Sequence, residues 1–313
     1  MVNRHTITAA LWAAGLYISG LIIPILGQAA ALFAPVPLII AIVRRGRREG
    51  LAALAVSFAI VALITGVSAA ALFLLGFGLM ALGTSEGMLR QYKPEQAALL
   101  GGLLPVAALA LGVLAYYAKI GTSPVAALEE SLRTMLAQAA QAYRSVGLQE
   151  PAELVTALAD KITYYAVRLM PTLVVTTSVV QAACCYGLAR VLIIRKDGSF
   201  PGSVQTPFSA WHAPDGWVWG LIASLALLVV PSPAGKILGW NATLFFAAVY
   251  VIQGLTVVEY YLKKVSVPSV GRGLILSLVL LIMPLLILVI ALGAVDIWGD
   301  FRKIRGGEET ASS

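Results

Sequence analysis

The chain has 313 residues, 59% hydrophobic and only 12% charged, with mean hydropathy +0.89 and net charge +7. Water-facing globules carry about a quarter charged residues, so this composition excludes a soluble domain. The 22 Lys and Arg lie mostly between apolar stretches, which reads as a topology signal and not as a nucleic-acid surface.

About nine apolar segments predict helices that cross a bilayer, because about 20 apolar residues span a hydrocarbon core of roughly 30 Å. The expected fold class is all-α, a polytopic transmembrane helical bundle of about eight or nine spans forming one integral-membrane domain over 1–313. The first segment, 6–26, follows Arg4 and His5 as a signal peptide would, but its length and the apolar run directly after it predict a retained span. The second, 27–43, is short and carries Pro35 and Pro37, which predicts a broken or re-entrant helix. The cluster Arg44, Arg45, Arg47 and Arg48 then marks the cytoplasmic side. Segments 50–66 and 67–83 are joined so tightly that they predict an antiparallel hairpin, and Gly83 with Gly87 has the spacing of close helix packing. A polar loop is expected at 84–96, with Glu86 and Arg90 paired along one turn, before a fifth span at 97–117.

Between 120 and 163 the pattern becomes amphipathic. Ser123 and Pro124 suit an N-cap and first turn, and Leu128, Leu132, Met135 and Leu136 recur at helical spacing, so a helix is expected to end near Gly147. Pro151 starts a second helix that runs into the sixth span. This extramembrane or interfacial helical insertion either packs on the membrane surface or caps a cavity. The sixth span, 164–194, is too long for a perpendicular crossing and contains Pro171, which predicts tilt, a kink or projection beyond the bilayer. Thr177, Ser178, Gln181, Cys184 and Cys185 share one arc of it, suited to interhelical hydrogen bonds or to a substrate path. The two cysteines are adjacent, so they are expected to pack and not to form a disulfide. A Pro- and Trp-containing loop follows at 195–215, then spans at 216–230, 238–264 and 273–292 and a disordered tail at 304–313. An N-terminus inside places thirteen of the 22 basic residues on the cytoplasmic face. Nine spans leave Arg302, Lys303 and Arg305 outside, so an eight-span arrangement in which 27–43 does not cross stays open.

No phosphate-binding GxxxxGK[ST] loop, HExxH or GxSxG is present, and no nucleophile, base or metal constellation stands out. The expectation is a non-enzyme with no cofactor and no metal. What remains is polarity inside spans. Gln253, Thr256 and Tyr260 fall at i, i+3 and i+7 on one face of the eighth span, with Glu259 on its flank. Glu259 with Lys263 reads as a helix-end pair. Alternatively, Gln253, Thr256, Glu259 and Tyr260 face Thr177 and Gln181 across a cavity between spans six and eight and bind a small polar solute or a coupled proton. Asp296 and Asp300 with Arg302 read as a pairing at the end of the last span.

Four stretches together resemble one family: APVPLIIAIVRRGRREG at 34–50, LMPTLVV at 169–175, QGLTVVEYYLKK at 253–264 and LGAVDIWGDFRK at 292–303. They are similar to the YybS-like predicted membrane proteins of bacteria, and the closing LG..D....FR pattern is the most specific part. That family is remotely similar to the S components of energy-coupling-factor vitamin transporters, which have about six spans, fewer than here. The resemblance implies a bacterial membrane protein of unknown function and supplies no catalytic residues. The facing polar stripes of spans six and eight point to a protein of the bacterial cytoplasmic membrane that binds or moves a small polar solute, driven by an ion gradient or a separate ATPase subunit. The other reading is a scaffold or assembly factor, with 120–163 and the Trp211–Trp217 region docking a membrane-protein partner.

Overall fold

The computed structural model describes residues 3–198 and 208–302. The loop expected at 195–215 is therefore described in part, and the tail expected at 304–313 lies outside the described residues, as do Lys303 and Arg305. Every regular element among the described residues is helical, and none is a strand. Seven helical stretches are long and apolar enough to cross a membrane, and two shorter apolar helices accompany them.

Each apolar segment is found as a helix or as a helix interrupted for a local reason. The first is α1 (Arg4–Ile22), and the second is broken into α2 (Leu26–Ala31) and α3 (Pro35–Arg45), the prolines starting the new helix where their missing N–H costs nothing. Gly46 and Gly66, at φ +92° and +91°, bracket α4 (Arg47–Thr65) in a conformation that a side chain resists. The fourth span is α5 (Val67–Phe73), a π-helical turn at Leu74–Gly78, and α6 (Leu79–Leu89). Helix thus runs through the first part of the loop expected at 84–96, because Ser85 returns its hydroxyl to Ala81 O (2.7 Å) and Gly83 and Gly87 lie on the next helix. That helix is α7 (Pro94–Ile120), followed by α8 (Pro124–Ser145) and by α9 (Gln149–Asp197), whose 49 residues extend about 74 Å at 1.5 Å each. Then come α10 (Trp217–Val229), α11 (Pro233–Lys264), α12 (Ser269–Leu281) and α13 (Met283–Gly299). The expected ninth span is divided at Ile282, which is extended (φ −98°, ψ 105°) as a residue two before Pro284 can be, with Pro284 in the first turn of α13.

The described residues fall into two compact units, 3–167 with 174–198, and 168–173 with 208–302. In the first, small residues let backbones touch. A Cβ on Gly83 would lie 2.7 Å from Leu100 O, and one on Gly102 would lie 2.5 Å from Val179 Cα. The π turn is covered by an aromatic group in which Tyr17 stands 5.1 Å from Phe73 and 5.4 Å from Phe77, with the Tyr17 hydroxyl donating to Ala69 O. Glu86 accepts from Arg47 Nη2 (2.8 Å) and from Arg90 Nε (2.6 Å), and this hydrogen bond raises the exposed Arg90 guanidinium above its ordinary pKa. The helix α8 turns back along the start of α9 as a hairpin, joined by Arg133 with Asp160 (3.3 Å) and Arg144 with Thr156 (3.3 Å) over buried Ala140 and Ala152.

In the second unit α10 and α11 pack antiparallel. Val218 meets Tyr250, Gly220 lies under the Phe246 ring, and Thr243 Oγ1 bonds Ser224 Oγ at 3.1 Å. α13 crosses α11 where Gly293 sits against Tyr250 O and Gly254 against Val289 O, positions at which any Cβ would strike backbone. Leu255, Val279 and Val289 close the apolar side of this crossing.

Candidate functional site

The polar face expected on α11 exists, and the second unit supplies its partners. Ser232 caps the helix from Gly235 N, and Lys263 and Lys264 in the last turn complement its dipole. The tight crossing at Gly254 and Gly293 then brings Asp296 to Gln253 and sets a buried polar node beside it.

Arg302 is its hub. Its Nη2 donates to Asp296 Oδ2 at 2.7 Å, and its Nη1 lies 2.8 Å from Ser209 O, 2.8 Å from Trp211 O and 2.9 Å from Thr256 Oγ1. Gln253 donates through Nε2 to Asp296 Oδ2 (3.3 Å) and accepts through Oε1 from Ala213 N (3.0 Å). Thr256 Oγ1 stands 2.6 Å from Gln253 O and 3.2 Å from Trp211 O, so its single proton serves one of them. Asp296 Oδ1 accepts from Phe301 N (3.2 Å), a return made possible by Asp300 at φ +35°. A buried carboxylate is tolerated here because it receives three donors, one of them a guanidinium.

Glu259, itself buried, forms a second group with partly exposed cations. Its Oε1 accepts from Arg272 Nε at 3.0 Å and lies 3.5 Å from Lys263 Nζ, which also reaches Ser209 Oγ (3.3 Å). Tyr260 is half-buried with its ring edge-on to Tyr261, whose hydroxyl donates to Phe301 O (3.2 Å). In the first unit Thr177 Oγ1 donates to Val174 O (3.2 Å) and Gln181 Nε2 to Leu32 O (2.9 Å), a carbonyl also approached by Cys185 Sγ at 3.4 Å. Leu32 sits in the break between α2 and α3, where the main chain has lost its helical partner, so Gln181 satisfies a group that lipid would leave bare. Two cavities in the first unit, of about 570 and 270 Å³, are lined by none of the six residues singled out from the sequence.

Sequence spacing paired Asp296 with Arg302 and aligned Gln253 with Thr256, but it did not connect the two sets. The signal was the LG..D....FR pattern: Gly293 permits the crossing, Asp296 reaches the node, and Arg302 returns to it. Among the described residues no three His, Cys, Asp or Glu converge as a metal ion requires.

A family model described as predicted membrane protein (DUF2232) matches residues 10–297. The chain belongs to this family. The DUF2232 match runs from α1 into α13 and includes Gly254, Gly293 and Asp296, with Arg302 just past its end. It agrees with the YybS-like resemblance, and together with the apolar helices it makes the chain a multi-pass membrane protein in contact with lipid. No curated protein matches, and no solved structure matches.

Proposed function

We propose that this chain is a non-catalytic protein of the bacterial cytoplasmic membrane, with its N-terminus on the cytoplasmic face, that binds or moves a small polar solute. An ion gradient or a separate ATPase subunit is its energy source. The observation that carries this reading is the node itself: Gln253, Thr256, Asp296 and Arg302 are each at most 5% exposed where α11, α13 and the residues after α13 meet. Ionisable groups within spans are expensive, and where they occur they line solute and proton paths. All the contacts that fill the node are internal, so solute enters by exchange. A carboxylate or amide of the solute takes the place of a main-chain carbonyl beside Arg302, whose buried Nε has no partner among the described residues.

The test is a thermal-shift screen of the detergent-purified protein against amino acids, vitamins and other polar metabolites, beside a Gln253→Leu/Glu259→Leu variant. A stabilising solute raises the melting temperature of the wild type, and the variant loses that rise while still inserting in the membrane. Retention of the rise in the variant removes the node from solute handling.

One observation favours a second reading, a scaffold for other membrane proteins. The hairpin of α8 and the start of α9 leaves Val125, Met135, Leu154 and Leu158 exposed. This reading predicts a co-purifying protein at constant stoichiometry that is lost when Met135 and Leu154 become Ser, and no solute-induced shift.

A further inference from the structure

The larger cavity of the first unit is an open groove of about 570 Å³ between α1, α3 and the last turns of α9. Its volume falls within the roughly 300–1,000 Å³ of ligand sites. Its two ends differ in chemistry. One end and the walls are apolar, with Trp12, Phe33 and Leu192 prominent. Trp12 and Leu192 are also exposed, so the groove opens sideways toward the surface that lipid covers.

At the other end each of the three helices presents a basic residue: His5 from α1, Arg44 and Arg45 from α3, and Lys196 from α9. Arg44 is engaged by Asp197 through Nε (2.6 Å) and Nη2 (2.5 Å), and Arg45 lies 4.0 Å from Glu49. Lys196 and His5 make no ion pair among the described residues. The Arg44–Asp197 pair ties the end of α3 to the end of α9 and so holds the mouth in shape, while Arg45 and Lys196 are left facing outward, both exposed. A greasy trough with a cationic mouth, open along its length to the bilayer, matches one ligand chemistry in full: an acyl chain joined to an anionic headgroup. Neither a free phosphate nor a neutral lipid uses both halves. Basic pockets between spanning helices hold anionic lipid headgroups on the same principle.

We infer that this groove is a binding site for one anionic phospholipid, its phosphate at Arg45 and Lys196 and one acyl chain along Trp12, Phe33 and Leu192. The site is separate from the polar node and stands whether or not that node handles solute.

The experiment is native mass spectrometry of the detergent-purified full chain, titrated with phosphatidylglycerol and, separately, phosphatidylcholine of the same chains. The wild type is expected to retain one phosphatidylglycerol per chain at concentrations where phosphatidylcholine is not retained. Arg45→Gln/Lys196→Gln weakens that retention by about fivefold for each charge removed. Ala9→Trp, which fills the groove and leaves the charges, weakens it as well. Thermal melting shows that each variant is folded, and the two variants act through different halves of the site, so misfolding of one leaves the other decisive. Equal retention of both lipids by the wild type overturns the inference, as does displacement of phosphatidylglycerol by millimolar inorganic phosphate, or indifference of folded Ala9→Trp.

Discussion

The two units hold their helices together by different means. In the first, backbones meet at glycines, and polar side chains, from buried Ser57 to half-buried Ser178 and Gln181, serve main-chain carbonyls: Ser57 Oγ reaches Ala10 O, Ser178 Oγ reaches Gly102 O, and Gln181 reaches Leu32 O. In the second, a similar glycine crossing at Gly254 and Gly293 is overlaid by an ion pair whose two side chains are 2% and 3% exposed. Failure in the first unit is steric, or costs a single hydrogen bond. Failure in the second leaves a charge where neither water nor lipid can receive it. Apolar solvent makes both arrangements possible, and the second is a poor choice for stability alone, since a buried ion pair does little better than well-packed apolar groups.

That contrast predicts a ranking of damage. Arg302→Ala is expected to cost the most, about 3–5 kcal/mol in unfolding from detergent, because it strands Asp296 and strips donors from Ser209 O and Trp211 O. Replacing Asp296 and Arg302 together by Leu should recover most of the loss. A double variant as unstable as the single one would show that charge is not what the node must balance. Next comes Gly102→Val at about 1–3 kcal/mol, since its Cβ meets the Val179 backbone. Gly112→Val, with nothing within 4 Å, is the control and should melt like the wild type. Smallest is Gln181→Leu, at about 1 kcal/mol, because Cys185 still approaches the same carbonyl. Adding Cys185→Ala should deepen the effect more than the two single changes sum to, which a double-mutant cycle reads directly.

Much of the fold was legible because hydropathy is a one-dimensional property, and nine apolar runs are nine runs whatever they touch. The break at 32–34 was also readable, since Pro35 and Pro37 act locally. What local pattern concealed was the helix through Thr84, Ser85 and Glu86. These residues look like a loop until Ser85 is seen bonding its own helix and Gly83 and Gly87 are seen packed on α7. The candidate site was half-legible for a similar reason. Periodicity placed Gln253 and Thr256 on one face, and spacing paired Arg302 with Asp296 at a helix end, but nothing in it says that this pair joins Thr256 and Gln253. The role of Gln181 was hidden as well, because its acceptor lies 149 positions earlier in the chain.

The return of Arg302 also bears on how the second unit is made. Its acceptor at Ser209 is synthesised 93 residues before it, and Thr256 46 residues before it. While the ribosome is still extending α13, the Thr256 hydroxyl and the carbonyls of Ser209 and Trp211 have been made without the cation they will share. The nascent protein therefore passes through an interval in which water, lipid headgroups or an insertase must shelter those groups.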